Sequence, residues 1–197
     1  MTPSSTNEDP YADAHGVLTN KLGITTGAAL SRAETDLSFA ALLRLAIHPL
    51  PGRYDLAHLR GFHRHIFGAV YPWAGQLRTV DLARGPRDAF CRWPFIESSA
   101  ADIFAGLAAE NRLADLPRTP FVARLAHYYG EINALHPFRE GNGRTQRAFL
   151  GQLAREAGWH TAWSDLNAEQ NNTASAAALH GDPNPLTAML ETITRPL

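Results

Sequence analysis

Residues 136–147 bring together side chains of types that can accept a proton, hold a divalent cation and bind phosphate. The segment reads His-Pro-Phe-Arg-Glu-Gly-Asn-Gly-Arg-Thr-Gln-Arg. Pro137 cannot easily continue the preceding helix, so it places His136 at a helix end as a candidate general base. Glu140 supplies an oxygen ligand of the kind that Mg²⁺ uses alongside phosphates. This segment is therefore the first candidate for a catalytic site.

The second half of the segment is typical of an anion site. Gly141 and Gly143 permit positive φ, so the amides of Gly141-Asn142-Gly143 can converge on one anion. Helical spacing of apolar residues resumes after Gly143, which places these amides at a helix N-terminus, where phosphate is favoured. Arg144 and Arg147 lie three residues apart in that helix and are predicted to share a face and reach one phosphate chain.

Each of these features is common by itself in proteins without catalysis, and only their joint occurrence indicates a site. Lysine chemistry is nearly excluded, because Lys21 is the single lysine among 18 lysine and arginine residues. Lys21 lies in Asn-Lys-Leu-Gly, which is neither a P-loop nor a Schiff-base context. Any bound phosphate must therefore be held by arginines and backbone amides.

Length and composition limit the remaining possibilities. The 197 residues are 45% hydrophobic with a net charge of −1, which predicts one globular domain and argues against direct nucleic-acid binding. A single cysteine, Cys91, excludes an internal disulfide and favours a reducing compartment. The polar N-terminus has no features of a signal peptide, and no apolar stretch could span a membrane. We expect a cytoplasmic protein without a membrane partner.

The elements that position the segment are mostly helical. Residues 1–15 are polar and predicted to be loose, and residues 16–197 form one domain. Alternation over Gln76–Leu82, a turn at Gly85-Pro86 and a return over Ala89–Trp93 predict a hairpin at about 76–94, the only predicted β segment. Helices are predicted from about Ser31, Asp55, Ile96, Thr119 and Gly143.

Residues 136–147 resemble, position for position, the signature of the Fic family, His-x-Phe-x-(Asp/Glu)-Gly-Asn-Gly-Arg-x-x-Arg. Asp9-Pro10-Tyr11, Val70–Gly75 and Leu153–Gly158 extend this resemblance, which is strongest to the short Fic toxins of bacterial toxin–antitoxin pairs. The resemblance implies an all-α Fic helical bundle with a short β-hairpin flap. It also implies a protein adenylyltransferase, which moves AMP from ATP to a hydroxyl side chain.

The resemblance assigns roles to the motif residues. It implies that His136 deprotonates the target hydroxyl, and that Glu140 holds Mg²⁺ between the α- and β-phosphates of ATP. The remaining positions would bind phosphate: the amides of Gly141, Asn142 and Gly143 with the Asn142 side chain at the α-phosphate, and Arg144 and Arg147 at the β/γ end.

The resemblance also suggests how the target is bound. The hairpin edge could accept an extended target segment by strand addition, with Phe90, Arg92 and Trp93 as candidate contacts. The implied targets are the ATPase subunits of DNA gyrase and topoisomerase IV. The acceptor would be a tyrosine hydroxyl, with serine and threonine left open.

Regulation can be examined in the sequence. Many Fic proteins carry an inhibitory Ser/Thr-x-x-x-Glu-Gly/Asn motif, whose glutamate pairs with the second motif arginine. Glutamate precedes glycine or asparagine only at Glu140 and Glu110, and the residues four positions upstream are His136 and Gly106. The resemblance therefore implies a separate small antitoxin that carries this motif, and its glutamate is predicted to contact Arg147.

Several alternatives stay open from the sequence. Within the family, the transferred group could be UMP, phosphocholine or phosphate; Gly143 disfavours the last, since Doc-type loops have lysine there. A nucleotide-binding regulator without catalysis would be expected to lack His136 or Glu140. A metal enzyme built on His58, His63 and His65 is disfavoured, because only His58 and His65 share a helix face.

Overall fold

The computed structural model describes residues 9–85 and 88–197, which form seven α-helices and one short sheet. The prediction of an all-α fold is confirmed. No helix in the described ranges has both the length and the apolar character needed to cross a bilayer. The helices are α1 (Gly27–Ile47), α2 (Leu56–Phe67), α3 (Ile96–Ala109), α4 (Arg118–Leu135), α5 (Asn142–Glu156), α6 (Ala168–Leu179) and α7 (Asn184–Ile193).

Helix α4 lies at the centre of the bundle. Every turn of α4 carries buried side chains, and the helix packs against α3, α5, α6 and α7. Helix α2 packs against α1, α3 and α5. Since a helix that is buried on several faces has little freedom to shift, the C-terminal end of α4 is a fixed point in the fold.

The predicted helix starts agree only in part with the observed ones. Asp55 caps α2 as predicted, since its Oδ1 accepts a hydrogen bond from the backbone N–H of His58 at 2.8 Å. Helix α1 begins at Gly27, one turn before the predicted Ser31 cap. Helix α4 begins at Arg118, one residue before the predicted cap.

The predicted hairpin over residues 76–94, hereafter the flap, has less strand pairing than expected. In the described part of the flap, one antiparallel bridge joins Ala83 and Ala89. Two backbone bonds flank this bridge, from Arg84 N to Asp88 O at 3.0 Å and from Phe90 N to Leu82 O at 3.1 Å. Pro86 of the predicted turn lies outside the described residues. The flap therefore has one antiparallel bridge but no regular strands among its described residues.

The described strands lie elsewhere and were not predicted. Strand β1 (Trp159–Thr161) pairs antiparallel with β2 (Thr194–Pro196), with His160 opposite Arg195. Three residues are too few to show an alternating pattern in the sequence. This short sheet joins the end of α5 to the end of α7, and Arg118 at the start of α4 donates to Thr194 O of β2 at 3.3 Å.

The N-terminal segment is held to the bundle from Asp9 onward, whereas it was expected to be loose to about residue 15. The Asp9 carboxylate accepts a hydrogen bond from Arg139 Nε at 2.8 Å. The Tyr11 ring packs edge-on against Trp73 at a centroid distance of 5.4 Å. Residues 1–8 lie outside the described residues.

Candidate active site

The predicted catalytic segment connects the centre of the bundle to helix α5. Helix α4 ends at Leu135, and His136 follows in the left-handed region with φ 44° and ψ 59°. At the other end, Gly141 has φ 80° and precedes α5. A Cβ at Gly141 would lie 2.3 Å from Cε2 of Phe67, so the site requires glycine for space as well as for backbone conformation.

A cavity of about 250 Å³ lies above this connection. It brings together most of the predicted motif residues with side chains from the flap, α4 and α6. Its lining comprises Arg84, Tyr129, Asn133, His136, Arg139, Glu140, Gly141, Asn142, Gly143, Gln146, Arg147, Asn171, Asn172 and Ser175.

His136 presents one free nitrogen for accepting a proton. Its Nδ1 lies 3.3 Å from the carbonyl oxygen of Asn133, and because a carbonyl can only accept, Nδ1 carries the hydrogen. Nε2 is therefore the unprotonated nitrogen. Burial, together with the positive charges of Arg78 and Arg84, lowers the pKa of His136 to about 4. The ring is neutral at pH 7, as a general base must be.

The start of α5 offers backbone donors to an anion. The first helical bond runs from Thr145 N to Gly141 O at 3.1 Å. The N–H groups of Asn142, Gly143 and Arg144 precede this bond and have no helical partner, which is the usual basis of phosphate binding at a helix N-terminus. The Gly141 N–H differs from the prediction, because it donates to Glu140 Oε1 at 2.8 Å.

The Asn142 side chain binds its own loop. Its Oδ1 accepts from Phe138 N at 2.9 Å, and its Nδ2 donates to Phe138 O at 2.7 Å. One Nδ2 hydrogen remains for the predicted contact with the α-phosphate. The main effect of this side chain is to hold residues 138–142 in a closed turn, with the Phe138 ring stacked on His63 at 3.9 Å.

The two motif arginines point to different places in the structure, whereas they were predicted to reach one phosphate chain. Arg147 lines the cavity. Arg144 instead forms an ion pair with Glu34 of α1, donates to Ser38 Oγ at 3.0 Å, and lies over the Phe67 ring at 4.7 Å. The buried carboxylate of Glu34 requires a cationic partner, and this requirement decides the direction of Arg144.

Glu140 fits the predicted role in binding Mg²⁺. Its side chain is 42% exposed and is the only carboxylate among the described residues that line the cavity. Within the described ranges there is no group of three or more histidine, cysteine, aspartate or glutamate side chains placed to hold a metal ion. A cation here would therefore take most of its ligands from phosphates and water, as Mg²⁺ commonly does.

The alternative metal site on α2 is contradicted by the structure. His58 Nε2 donates to Leu50 O at 2.8 Å, and its Nδ1 accepts from Tyr54 N at 3.2 Å. His63 Nδ1 accepts from Gly75 N at 2.8 Å, and its Nε2 donates to Glu140 O at 2.9 Å. Both rings thus use both nitrogens in structural bonds. Burial lowers the pKa of His63 to about 4, so its ring is neutral as well.

The three candidate target contacts of the flap have different surroundings. Phe90 is buried and stacks face to face on the His136 ring, with a centroid distance of 3.7 Å and an interplanar angle of 11°. The Arg92 side chain is 73% exposed, with Nε 3.6 Å from Asp81 Oδ2. Trp93 is 44% exposed. Arg92 and Trp93 are open to a partner, whereas Phe90 covers the histidine.

The wall of the cavity opposite the motif was missed by sequence reasoning. It is formed by Asn171, Asn172 and Ser175 of α6. Tyr129 Oη donates to Asn171 Oδ1 at 2.6 Å, and Arg84 of the flap donates to Asn172 O at 3.2 Å. The feature that could have predicted this wall is the N-cap of α6. The Asn167 side chain accepts hydrogen bonds from the N–H groups of two residues in the first turn of α6. Arg139 and Gln146, given no role from the sequence, also line the cavity.

The site thus combines a neutral imidazole, a carboxylate, helix N-terminal amides and three arginines in a single cavity of an all-α domain. Such a site is suited to binding a phosphate chain and to taking a proton from a second reactant. A family model described as the Fic/DOC family matches residues 53–154. The chain belongs to the Fic/DOC family.

Curated relatives support the assignment of the chain to this family. Protein adenylyltransferase VbhT of Bartonella schoenbuchensis is 40% identical over 93% of this chain, although the match spans only 38% of that protein. The probable protein adenylyltransferase Fic of Escherichia coli K12 is 37% identical, with 88% of this chain and 86% of the relative covered. The chain is accordingly an enzyme of the protein adenylyltransferase class.

Solved structures share the fold. The N-terminal Fic domain of a Bep effector from Bartonella quintana with bound ADP has a TM-score of 0.89 and 29% identity, with 94% of each chain covered. The BepC protein from Bartonella tribocorum with bound AMPPNP also has a TM-score of 0.89, at 25% identity, with 96% of this chain and 98% of that chain covered.

Proposed function

We propose that residues 16–197 form one Fic domain that transfers AMP from ATP to a hydroxyl side chain of a target protein. The observation that carries the proposal is the position of His136. Its imidazole shares a cavity with Arg147 and with the unpaired amides at the start of α5. A proton acceptor beside a phosphate site is the arrangement that attack of a hydroxyl on a nucleotide requires.

In the proposed reaction, the target hydroxyl oxygen forms a bond to the α-phosphorus of ATP. The bond between the α-phosphorus and the oxygen bridging to the β-phosphorus breaks, and pyrophosphate leaves. The hydroxyl proton passes to Nε2 of His136. The Asn142 and Gly143 amides stabilise the charge on the α-phosphate, and Arg147 neutralises the leaving group. Arg144 supports the site from outside by anchoring α5 to α1.

Mg²⁺ is proposed to bind at Glu140. When bound, the cation would neutralise phosphate charge and orient the leaving pyrophosphate. The carboxylate is already placed at the cavity, because its Oε1 accepts the Gly141 N–H at 2.8 Å.

The position of the label in ATP distinguishes the possible transferred groups. We expect ATP labelled at the α-phosphate to label a target protein in a bacterial lysate when the purified chain and Mg²⁺ are present. ATP labelled at the γ-phosphate and UTP labelled at the α-phosphate should leave no label, and EDTA should abolish the signal. Label from the γ-position would identify phosphate transfer, and label from UTP would identify UMP transfer; either result would contradict the proposal.

The proposed targets are the ATPase subunits of DNA gyrase and topoisomerase IV, with a tyrosine as the leading acceptor. This choice of targets follows from the resemblance to short Fic toxins. Under this proposal the protein acts in the cytoplasm, where ATP and these enzymes occur. The exposed Arg92 and Trp93 would contact the target beside the cavity. Mass spectrometry of each purified subunit after incubation with the chain identifies the acceptor by the added mass of AMP.

A separate antitoxin is proposed to inhibit the enzyme through Arg147. Arg147 lies between the cavity and a neighbouring apolar groove of about 160 Å³ between α1 and α5. Beside this groove, α1 exposes Phe39, Leu43 and Ile47, which are spaced one helical turn apart. Among the described residues, no carboxylate of the chain lies within 4.0 Å of Arg147. A partner helix with apolar residues and one glutamate would fit both features.

The expected effect of that partner depends on its glutamate. A co-purified antitoxin with the Ser/Thr-x-x-x-Glu-Gly/Asn motif should abolish AMP transfer. Replacing its motif glutamate with glycine should restore transfer while the complex still forms, as measured by size-exclusion chromatography. An intact antitoxin that binds and leaves AMP transfer unchanged would contradict this proposal.

A further inference from the structure

Arg78 of the flap is the largest fully buried side chain in the described residues. Its side chain is 0% exposed, and the nearest carboxylate oxygen, Asp81 Oδ1, lies 4.0 Å away on a half-exposed side chain. A buried guanidinium without a close carboxylate must be compensated by other acceptors. These acceptors are backbone carbonyls.

The guanidinium of Arg78 joins two parts of the fold. Nε donates to His136 O at 2.7 Å, and Nη2 donates to Leu135 O at 3.3 Å, both at the end of α4. Nη1 donates to Val80 O at 2.6 Å, and Nη2 also donates to Cys91 O, on the two arms of the flap. One side chain therefore ties both arms of the flap to the helix end that carries His136.

Backbone contacts strengthen the same connection. Arg78 N donates to Pro137 O at 2.9 Å, and Cys91 N donates to Ala134 O at 2.8 Å. The final carbonyls of a helix normally lack helical partners and carry the negative end of its dipole. Here the flap supplies the donors, and a buried positive charge lies at the negative end of α4.

These contacts fix the surroundings of His136 on two sides. They hold its backbone in the left-handed region at φ 44°. They also hold Cys91, whose neighbour Phe90 stacks on the imidazole at 3.7 Å. We propose that Arg78 is a positioning residue for the transfer reaction, which sets the orientation of the His136 ring by clamping the flap to the end of α4. This inference rests on the proposed role of His136 as general base.

The charge of Arg78 acts on His136 in the same direction as burial. Arg78 and Arg84 face the ring from the flap, Arg139, Glu140 and Arg147 line the cavity around it, and Asp88 at the flap tip is paired with His180. Removal of Arg78 removes a positive charge and admits water. Both changes stabilise the protonated imidazole, so the pKa of His136 should rise toward its ordinary value.

Two substitutions separate the geometry from the charge. Arg78→Met is expected to lower kcat by about 100-fold, as a small misplacement of a reacting group can do, while the Kd for ATP changes by less than about threefold. The pKa of His136, followed by NMR, should rise in this variant. Arg78→Lys keeps the charge but provides three donors on one atom, so kcat should fall while the pKa of His136 stays low.

Arg118→Met provides the matched control. Arg118 also donates to carbonyls at a helix end, with Nε 3.3 Å from Thr194 O after α7, but it lies away from the cavity. Its replacement should leave kcat and the pKa of His136 unchanged. Guanidinium ion at millimolar concentration should partly restore kcat to Arg78→Ala, and methylammonium should not.

An Arg78→Met enzyme with a kcat within about threefold of wild type, or with an unchanged pKa of His136, would overturn the inference. If Arg78→Met does not fold, the kcat of Arg78→Lys and the guanidinium rescue decide in its place. The NMR titration does not need activity. Failure of the wild-type chain to transfer AMP would therefore refute the proposed function, and an unchanged His136 pKa would refute the positioning role.

Discussion

Replacement of His136 with alanine is expected to lower the rate of AMP transfer by about 10³-fold, within the range that general acid–base residues contribute. The reason is that Nε2 of this ring is the proposed proton acceptor, because Nδ1 donates to Asn133 O at 3.3 Å. The affinity for ATP should change by less than about threefold, because the α5 amides and Arg147 remain. Initial rates with α-labelled ATP measure the first effect, and calorimetry measures the second.

His65→Ala is the control for this experiment. His65 is an exposed histidine near the end of α2 and does not line the cavity. Its replacement should leave both the rate and the ATP affinity at wild-type values. Transfer by the His136→Ala protein at a rate close to that of His65→Ala would refute the assignment of His136 as general base.

The second large effect concerns stability. Gly141→Ala is expected to lower the free energy of unfolding by about 2–4 kcal/mol, from the cost of a left-handed alanine and of overpacking. Gly141 has φ 80°, and its new Cβ would lie 2.3 Å and 2.4 Å from ring atoms of Phe67. Phe67 is fully buried in the core and cannot move aside cheaply.

The second motif glycine provides the comparison. Gly143 lies inside α5, and a Cβ there would first meet Nη1 of Arg147 at 3.2 Å, the end of a flexible side chain. Gly143→Ala should therefore change the free energy of unfolding by less than about 1 kcal/mol, since alanine also favours the helix. Urea denaturation of the two variants measures the difference. Equal destabilisation by both substitutions would show that the contact with Phe67 is not the cause.

The flap shows how a correct local pattern can give an incomplete structure. Gln76–Leu82 alternates as a strand does, and the tip does contain the Ala83–Ala89 bridge. Farther from the bridge, Arg78 N and Cys91 N donate to carbonyls near the end of α4 instead of pairing across the flap. A pattern of period two indicates an extended backbone, but it does not identify the acceptor of each N–H group.

The α6 wall shows the opposite case. Ala168–Leu179 carries alanine and asparagine with almost no apolar periodicity, so its sequence did not suggest a helix that packs on the core. It forms because Ala174 and Ser175 are buried in the bundle, where small residues allow close approach. Tertiary packing thus creates a wall of the cavity from residues without a local signal.

The sequence by itself determined the family and the helical class, and it located the candidate catalytic segment. Proline at a helix end, glycine at positive φ and apolar spacing act within a few residues, so they can be recognised without a fold. Tertiary structure decided the direction of each long side chain. Arg144, for example, binds Glu34, which lies 110 residues away along the chain. Arg78 likewise donates to the carbonyl oxygen of His136, which lies 58 residues away along the chain. A buried charge requires a compensating partner, which can come from any part of the chain that the fold brings close. No local sequence pattern specifies that partner.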